Sequence, residues 1–183
     1  MKKYLFLILV MLPLCAMAQR HSKGIGGIDL FGGMATAKYT GWNAGLGYSH
    51  YISTNDIFRI TGEYLQYNRR IYTRDFDIRN YTGNIEYLRT VLSNHNNLYI
   101  NLGLGVKGGY EDIGEAKDFL NSEGRISDIK SRFIVAPLVT GEIEFFVLPK
   151  TAILFQVKET YSPMSDLQKW GTTVGIGIRH LIF

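Results

Sequence analysis

The sequence predicts an all-β fold: an eight-stranded antiparallel up-and-down transmembrane β-barrel of the outer-membrane type, formed after a signal peptide is cleaved. Three observations point there. The chain opens on a secretory leader, continues as eight long segments of two-residue periodicity, and joins them by connections that alternate short and long.

Lys2 and Lys3 precede the apolar run Leu5–Leu14, and Ala16-Met17-Ala18 offers the small-x-small site of signal peptidase. Residues 1–18 are therefore expected to be removed, leaving residues 19–183 as a single barrel domain that begins at Gln19. The leader is shorter than the about 20 apolar residues a spanning helix needs. Cys15 follows Leu14, where a lipoprotein signal wants a small residue, which argues against lipidation. Cleavage takes away the single cysteine and with it any disulfide. It also removes two lysines and no acid, so 20 Lys+Arg fall to 18 against 16 Asp+Glu, a mature net charge of +2. After cleavage Arg69 and Arg70 are the only adjacent basic pair, and no direct nucleic-acid binding is expected. Beyond residue 18 no apolar stretch approaches the length of a spanning helix. If the mature chain enters a membrane, it must do so as a closed barrel, which satisfies every backbone polar group in lipid.

The predicted strands follow in order. Ile25–Met34 carries Asp29 on its polar parity. The "GIGG" at its start (Gly24–Gly27) lacks the strand–turn–helix setting and the lysine of a phosphate loop, and reads as easing the chain into the sheet. Trp42–Ile52 opens on a tryptophan and puts Tyr48 and His50 on the apolar parity. Ile57–Tyr67 sets Arg59 and Glu63 on the polar parity; Tyr81–Leu92 sets Glu86 there and Arg89 opposite. In Leu98–Tyr110, Leu98, Ile100, Leu102, Leu104 and Val106 oppose Tyr99, Asn101, Gly103, Gly105 and Lys107. Arg132–Val147 turns Phe133, Val135, Val139, Ile143, Phe145 and Val147 against Thr140, Glu142 and Glu144. Pro137, on the apolar parity there, denies the ladder an N–H and predicts a bulge. Thr151–Tyr161 opposes Ile153, Phe155 and Val157 to Leu154, Gln156 and Lys158, with Glu159 on the apolar side. Trp170–Ile182 faces Trp170, Val174, Ile176 and Ile178 one way and Gly171, Gly175, Gly177 and Arg179 the other. Phe183 is out of phase with Ile176 and Ile178, so either a bulge near His180 corrects the register or Ile182 is the last lipid contact. Helical periodicity is poor throughout; only Asp118–Leu120 suggests a turn of helix.

Ser53–Asp56, Ser93–Asn97 and Leu148–Lys150 are short links, whereas Ala35–Gly41, Asn68–Asn80, Glu111–Ser131 and Ser162–Lys169 are longer. In an antiparallel barrel every second connection lies at the same end, so the long ones are external and the short ones periplasmic, with both termini. A soluble sandwich accounts for the alternation equally well with its faces reversed. Uniform strand length argues for the membrane, as do the aromatic residues near strand ends. Trp42, Tyr48, Tyr64, Tyr110, Tyr161 and Trp170 form the expected girdle, with Tyr67, Tyr81 and Tyr87 in similar positions. His50, Arg89 and Glu159 fit the outward face only because they lie near strand ends.

An eight-stranded barrel encloses a space filled by side chains, where charges must pair. The parity sorting encloses five acids (Asp29, Glu63, Glu86, Glu142, Glu144) and four bases (Arg59, Lys107, Lys158, Arg179). The expectation is a ladder of salt bridges between those four bases and Glu63, Glu86, Glu142 and Glu144 that plugs the lumen. The histidines at 21, 50, 95 and 180 lie far apart without ligand spacing, so no metal or cofactor is expected. His50 and Ser53 border a periplasmic turn, the wrong side for a lipid A-modifying site, and no catalytic residue is assigned.

"GEYLQYNRRIY" (Gly62–Tyr72), "NIEYL" (Asn84–Leu88), "LYINLGLGVKGGYE" (Leu98–Glu111) and "KETYSPMSDLQKWGTTVGIGIRH" (Lys158–His180) resemble the TraO family, encoded in the transfer operons of conjugative transposons of Bacteroides-type bacteria. The resemblance covers nearly the whole mature chain. It implies a non-enzymatic outer-membrane component of a type IV secretion-like DNA transfer apparatus. The barrel would anchor it among outer-membrane lipids and dock other conjugal transfer proteins. The residues alone also admit a general small barrel for adhesion or envelope stability, or a lipid-modifying enzyme. The mildly acidic connection Glu111–Ser131 could serve an adhesin or a docking protein.

Overall fold

Period-two alternation, with no helical stripe competing, yields strands: β1 (Gly26–Thr36), β2 (Thr40–Tyr51), β3 (Asp56–Ile71), β4 (Arg74–Ser93), β5 (Leu98–Asp112), β6 (Arg132–Leu148), β7 (Thr151–Tyr161) and β8 (Trp170–Ile182). The computed structural model describes residues 21–36, 40–71, 74–94, 96–113, 131–165 and 168–182, the side chains of 36, 69–71 and 74–76 excepted. The expected leader with Cys15, His95, the Asp118–Leu120 turn, most of the Glu111–Ser131 connection and Phe183 lie outside the described residues, as do the side chains of Arg69 and Arg70. The strands pair antiparallel in sequence order, and β1 pairs with β8 to close an eight-stranded barrel.

The barrel is apolar outside and polar inside. Leu30, Leu46, Ile60, Ile85, Leu104, Val139, Phe155 and Ile176, one from each strand, are 48–68% exposed. Asp29, Arg59, Glu86, Glu142, Glu144 and Arg179, on the opposite parity, are at most 1% exposed. Facing sheets of a sandwich would bury the first set and expose the second, so that alternative fails. Eleven residues rising about 3.3 Å each and tilted by about 40° climb roughly 28 Å, the height of an outer-membrane apolar band.

Several local expectations are corrected. The Asn68–Asn80 connection is mostly strand: β3 and β4 stay paired to Ile71↔Arg74, four pairs beyond their last partners on β2 and β5. Ala35–Gly41 likewise shrinks, since β1 and β2 pair up to Thr36↔Thr40. Strict alternation of short and long links therefore fails, because cross-strand pairing continued through polar sequence that looked like loop. Pro137 makes no bulge. It sits opposite Val106 in unbroken register and just beyond the last β6–β7 pair, Leu138↔Thr160, where a residue without an N–H can be placed. The irregularities fall instead at Thr90/Leu92 and Phe146/Leu148, beside the short links. No register shift occurs near His180, and Ile182 is an outward residue at the strand end. Tyr67 points inward and is 3% exposed.

Inside, small residues let the strands approach. A Cβ on Gly33 would run into the Val174 carbonyl and the Gly175 Cα across the β1–β8 seam, whereas one on the outward Gly62 would meet nothing within 4 Å. Gly33→Ala is expected to destabilise the barrel by about 1–3 kcal/mol and Gly62→Ala to leave it nearly unchanged, measured by denaturant unfolding in lipid vesicles. A charge at the middle of the outer wall, Leu104→Arg, should cost about 2–4 kcal/mol in the same assay.

Candidate functional site

The lumen is where the sequence concentrates its chemistry, and the barrel stacks it in layers. At the short-turn end Tyr51, Ile57, Leu88, Tyr99, Phe146, Ala152 and Leu181 form an apolar floor. Above it lie two guanidinium groups. Arg179, on β8, grips Asp29 of β1 with two hydrogen bonds: Nε donates to Oδ1 at 2.7 Å and Nη2 to Oδ2 at 2.9 Å. Its Nη1 lies 3.1 Å from Glu144 and its Nη2 3.4 Å from Glu142. Arg59, on β3, donates to Glu86 of the neighbouring β4 at 2.8 Å and reaches across the bore to Glu142 on β6. A planar fork meeting carboxylates from several strands suits arginine, since its donors are fixed in direction.

The lysines occupy the next layer. Lys107 Nζ is 3.1 Å from Glu63, and Lys158 crosses from β7 to Glu86 at 3.3 Å while lying 4.6 Å from the Phe31 ring centre. Neutral groups take up the remaining carboxylate lone pairs. Asn43 and Asn84 donate to Glu63, Thr140 to Glu86, Gln156 and Asn101 to Glu142, Ser49 to Asp29, and Tyr51 to Glu144. Near the opposite mouth, a cavity of about 40 Å³ is lined in part by Asn80, Lys107, Glu111 and Gln168. Glu111 there accepts hydrogen bonds from Ser165 and Tyr67.

Arg59, Glu86, Glu142, Glu144, Lys158 and Arg179 thus share one connected network, while Lys107 and Glu63 pair in a second cluster with Asn43 and Asn84. The ladder reasoned from sequence left out Asp29, the strongest partner of Arg179, although both carried the enclosed parity. It also missed His21, whose Nε2 lies 2.9 Å from Glu144, and Tyr51, whose hydroxyl joins Glu144 to Arg179. The signal for Asp29 was available, because pairing of the first and last strands sets Asp29 opposite Arg179. His21 lies before the first strand, where parity has no reach.

On the outer wall, Trp42, Tyr48, Tyr64, Tyr110, Tyr161 and Trp170 all take the outward parity. Tyr64, Tyr81, Tyr110 and Phe133 are cross-strand neighbours in one row. Trp42 packs at a tilt beside Tyr64 with ring centres 5.2 Å apart, and Tyr161 beside Trp170 at 4.8 Å. The outward polar residues sit at strand ends with partners: Arg89 is opposite Asp56, which accepts from Tyr87, and Glu159 accepts from Thr172. His50 lies beside Tyr48 with ring centres 6.5 Å apart. Among the described residues no group of three His, Cys, Asp or Glu side chains is placed to hold a metal ion.

The family model for conjugative transposon protein TraO matches residues 19–182. The chain belongs to the TraO family. No curated protein matches it. Among solved structures, this TraO chain is similar to the N-terminal β-barrel domain of Pseudomonas aeruginosa OprF, with TM-score 0.60, 9% identity and coverage of 87% of this chain and 98% of that one. Neisserial surface protein A gives 0.59 at 12% identity, over 85% and 95% of the two chains. Ail, the attachment invasion locus protein of Yersinia pestis, in complex with the heparin analogue sucrose octasulfate, gives 0.54 at 13%, over 87% and 99%. At such identities the likeness establishes the fold: an outer-membrane-type eight-stranded barrel.

Removing one arginine from the TraO lumen leaves carboxylates buried without their counter-charge. Arg59→Met is expected to cost about 3–5 kcal/mol, read as a shift in the denaturant midpoint of the vesicle-inserted barrel. Adding Glu86→Gln and Glu142→Gln to that variant should recover part of the loss.

Proposed function

We propose that this protein is a non-enzymatic outer-membrane component of a conjugative transfer apparatus, with its barrel as anchor and its external side docking other transfer proteins. Membership of the TraO family, on a barrel whose outer wall is apolar, carries this reading. The outward aromatic residues would sit at the membrane–water boundaries, where a ring contacts hydrocarbon and its polar edge contacts water. The β3–β4 hairpin rises four pairs beyond its neighbours and offers the projecting surface a docking protein would meet.

The lumen network acts as a plug rather than a site of catalysis. Arg59 and Lys158 each bridge strands on opposite walls, so the ion pairs run across the bore that a solute would have to follow. Titratable groups whose partners are one another have no free face towards a substrate. DNA therefore passes elsewhere in the apparatus.

Deleting the gene from a conjugative transposon should lower transfer frequency without slowing growth; unchanged transfer with loss of surface adhesion would instead favour an adhesin. The purified barrel should fractionate with outer membranes, migrate heat-dependently on gels, and show no wide conductance in planar bilayers.

A further inference from the structure

The short-turn mouth of the barrel is closed by the segment that leads into β1, and one histidine holds it there. Ser22, Lys23, Gly24 and Ile25 make a tight turn, with the Ile25 N–H donating to the Ser22 carbonyl at 3.3 Å and Gly24 at φ 89°. Glycine at the third position of such a turn is what a type II geometry requires. The turn is fastened to β2, where the Gly24 N–H donates to the Tyr51 carbonyl at 2.8 Å and the Tyr51 N–H to the Ile25 carbonyl at 2.9 Å. It folds His21 back under the lumen floor, where the ring is 2% exposed and stacks on Tyr99 with centres 3.7 Å apart. Tyr51 meets its edge at 4.6 Å.

Both ring nitrogens face acceptors. Nδ1 is 3.2 Å from the Thr54 carbonyl oxygen and Nε2 is 2.9 Å from Glu144 Oε2. A carbonyl and an ionised carboxylate accept only, so the arrangement is complete when each nitrogen carries a proton. The charge count agrees. Apart from Glu111 at the opposite mouth, the buried lumen holds Asp29, Glu63, Glu86, Glu142 and Glu144 against Arg59, Lys107, Lys158 and Arg179, five acids to four bases. A positively charged His21 makes them equal.

We propose that His21–Ile25 is a pH-sensitive latch: the imidazolium of His21 pins the N-terminal segment into the barrel mouth, and loss of its second proton releases it. The groups facing the ring are Glu144 and Phe146 of β6, Tyr99 and Asn101 of β5, Tyr51 of β2 with the Thr54 carbonyl beyond it, and Arg179 of β8 behind Glu144. Arg179 continues to neutralise Glu144 whichever state His21 adopts, so the barrel stays closed while the latch lets go. Deprotonation sets a nitrogen lone pair against either the carboxylate or the carbonyl oxygen, turning one attraction into a repulsion. Release therefore accompanies rising pH.

The test uses a nitroxide on Lys23→Cys, an exposed position outside the network, in the vesicle-inserted protein with Cys15 cleaved off or replaced by serine. As pH rises the label should pass from an immobilised to a mobile spectrum. His21→Phe and Gly24→Ala, the second acting only through its backbone because a Cβ there meets nothing within 4 Å, should give a mobile label at every pH. Replacing His50, His95 and His180 by glutamine should leave the transition in place. Heat-dependent gel migration confirms in each case that the barrel is folded. A label that stays immobile across the titration, or that titrates alike after His21→Phe, overturns the latch.

Discussion

Two buried guanidinium groups hold this structure together. Burying an ion without a partner is far more costly than any single apolar contact recovers. Arg59 and Arg179 between them contact Asp29, Glu86, Glu142 and Glu144, drawn from strands on several sides of the barrel. Most aliphatic side chains of the wall face outward and the enclosed apolar cluster lies at the short-turn end, so that cluster alone does not set the cross-section of the bore. The paired charges do that work here, tying opposite walls at fixed separations.

The layering follows from how each cation is hydrated. Arginine sits deepest, next to the apolar floor, where a delocalised charge with rigid donors loses least on leaving water. The lysines lie nearer the mouth opposite the short turns, and Lys107 lines the small cavity there. Among the described residues the amide oxygens of Asn43, Asn80 and Asn84 in this upper region, and Arg59 Nε below it, have no hydrogen-bond partner.

What the sequence disclosed depended on period. Strand identity and facing were legible because side chains alternate strictly, and each of the eight strands carries at least one outward apolar residue and an enclosed polar or small one. The five acids and four bases could be assigned to the interior on that ground alone. Their partners could not, since pairing across the bore depends on how all the strands stagger around the barrel. Sequence sorting therefore joined Arg59 correctly to the interior but gave no reason to choose Glu142, 83 positions away, as its partner. The β3–β4 extension was hidden for a different reason: its polar sequence carries no sustained alternation, while backbone pairing persists. Tyr67 was misjudged because tyrosine suits an interfacial ring and a lumen hydrogen bond equally well. His21 left only a faint trace, a Ser-Lys-Gly-Ile turn just ahead of the first strand.

The bidentate Asp29–Arg179 contact also bears on how the cylinder zips shut. It joins residues 150 positions apart, across the one seam that no hairpin links. Sliding β8 by two residues would keep every side chain on its proper face, so alternation alone offers no defence against that error. Asp29 would then lie opposite Gly177 or Leu181, with a stranded carboxylate on one strand and a stranded guanidinium on the other. The ion pair is thereby a proofreading mark for the final strand, accepting a single alignment and rejecting its nearest look-alikes.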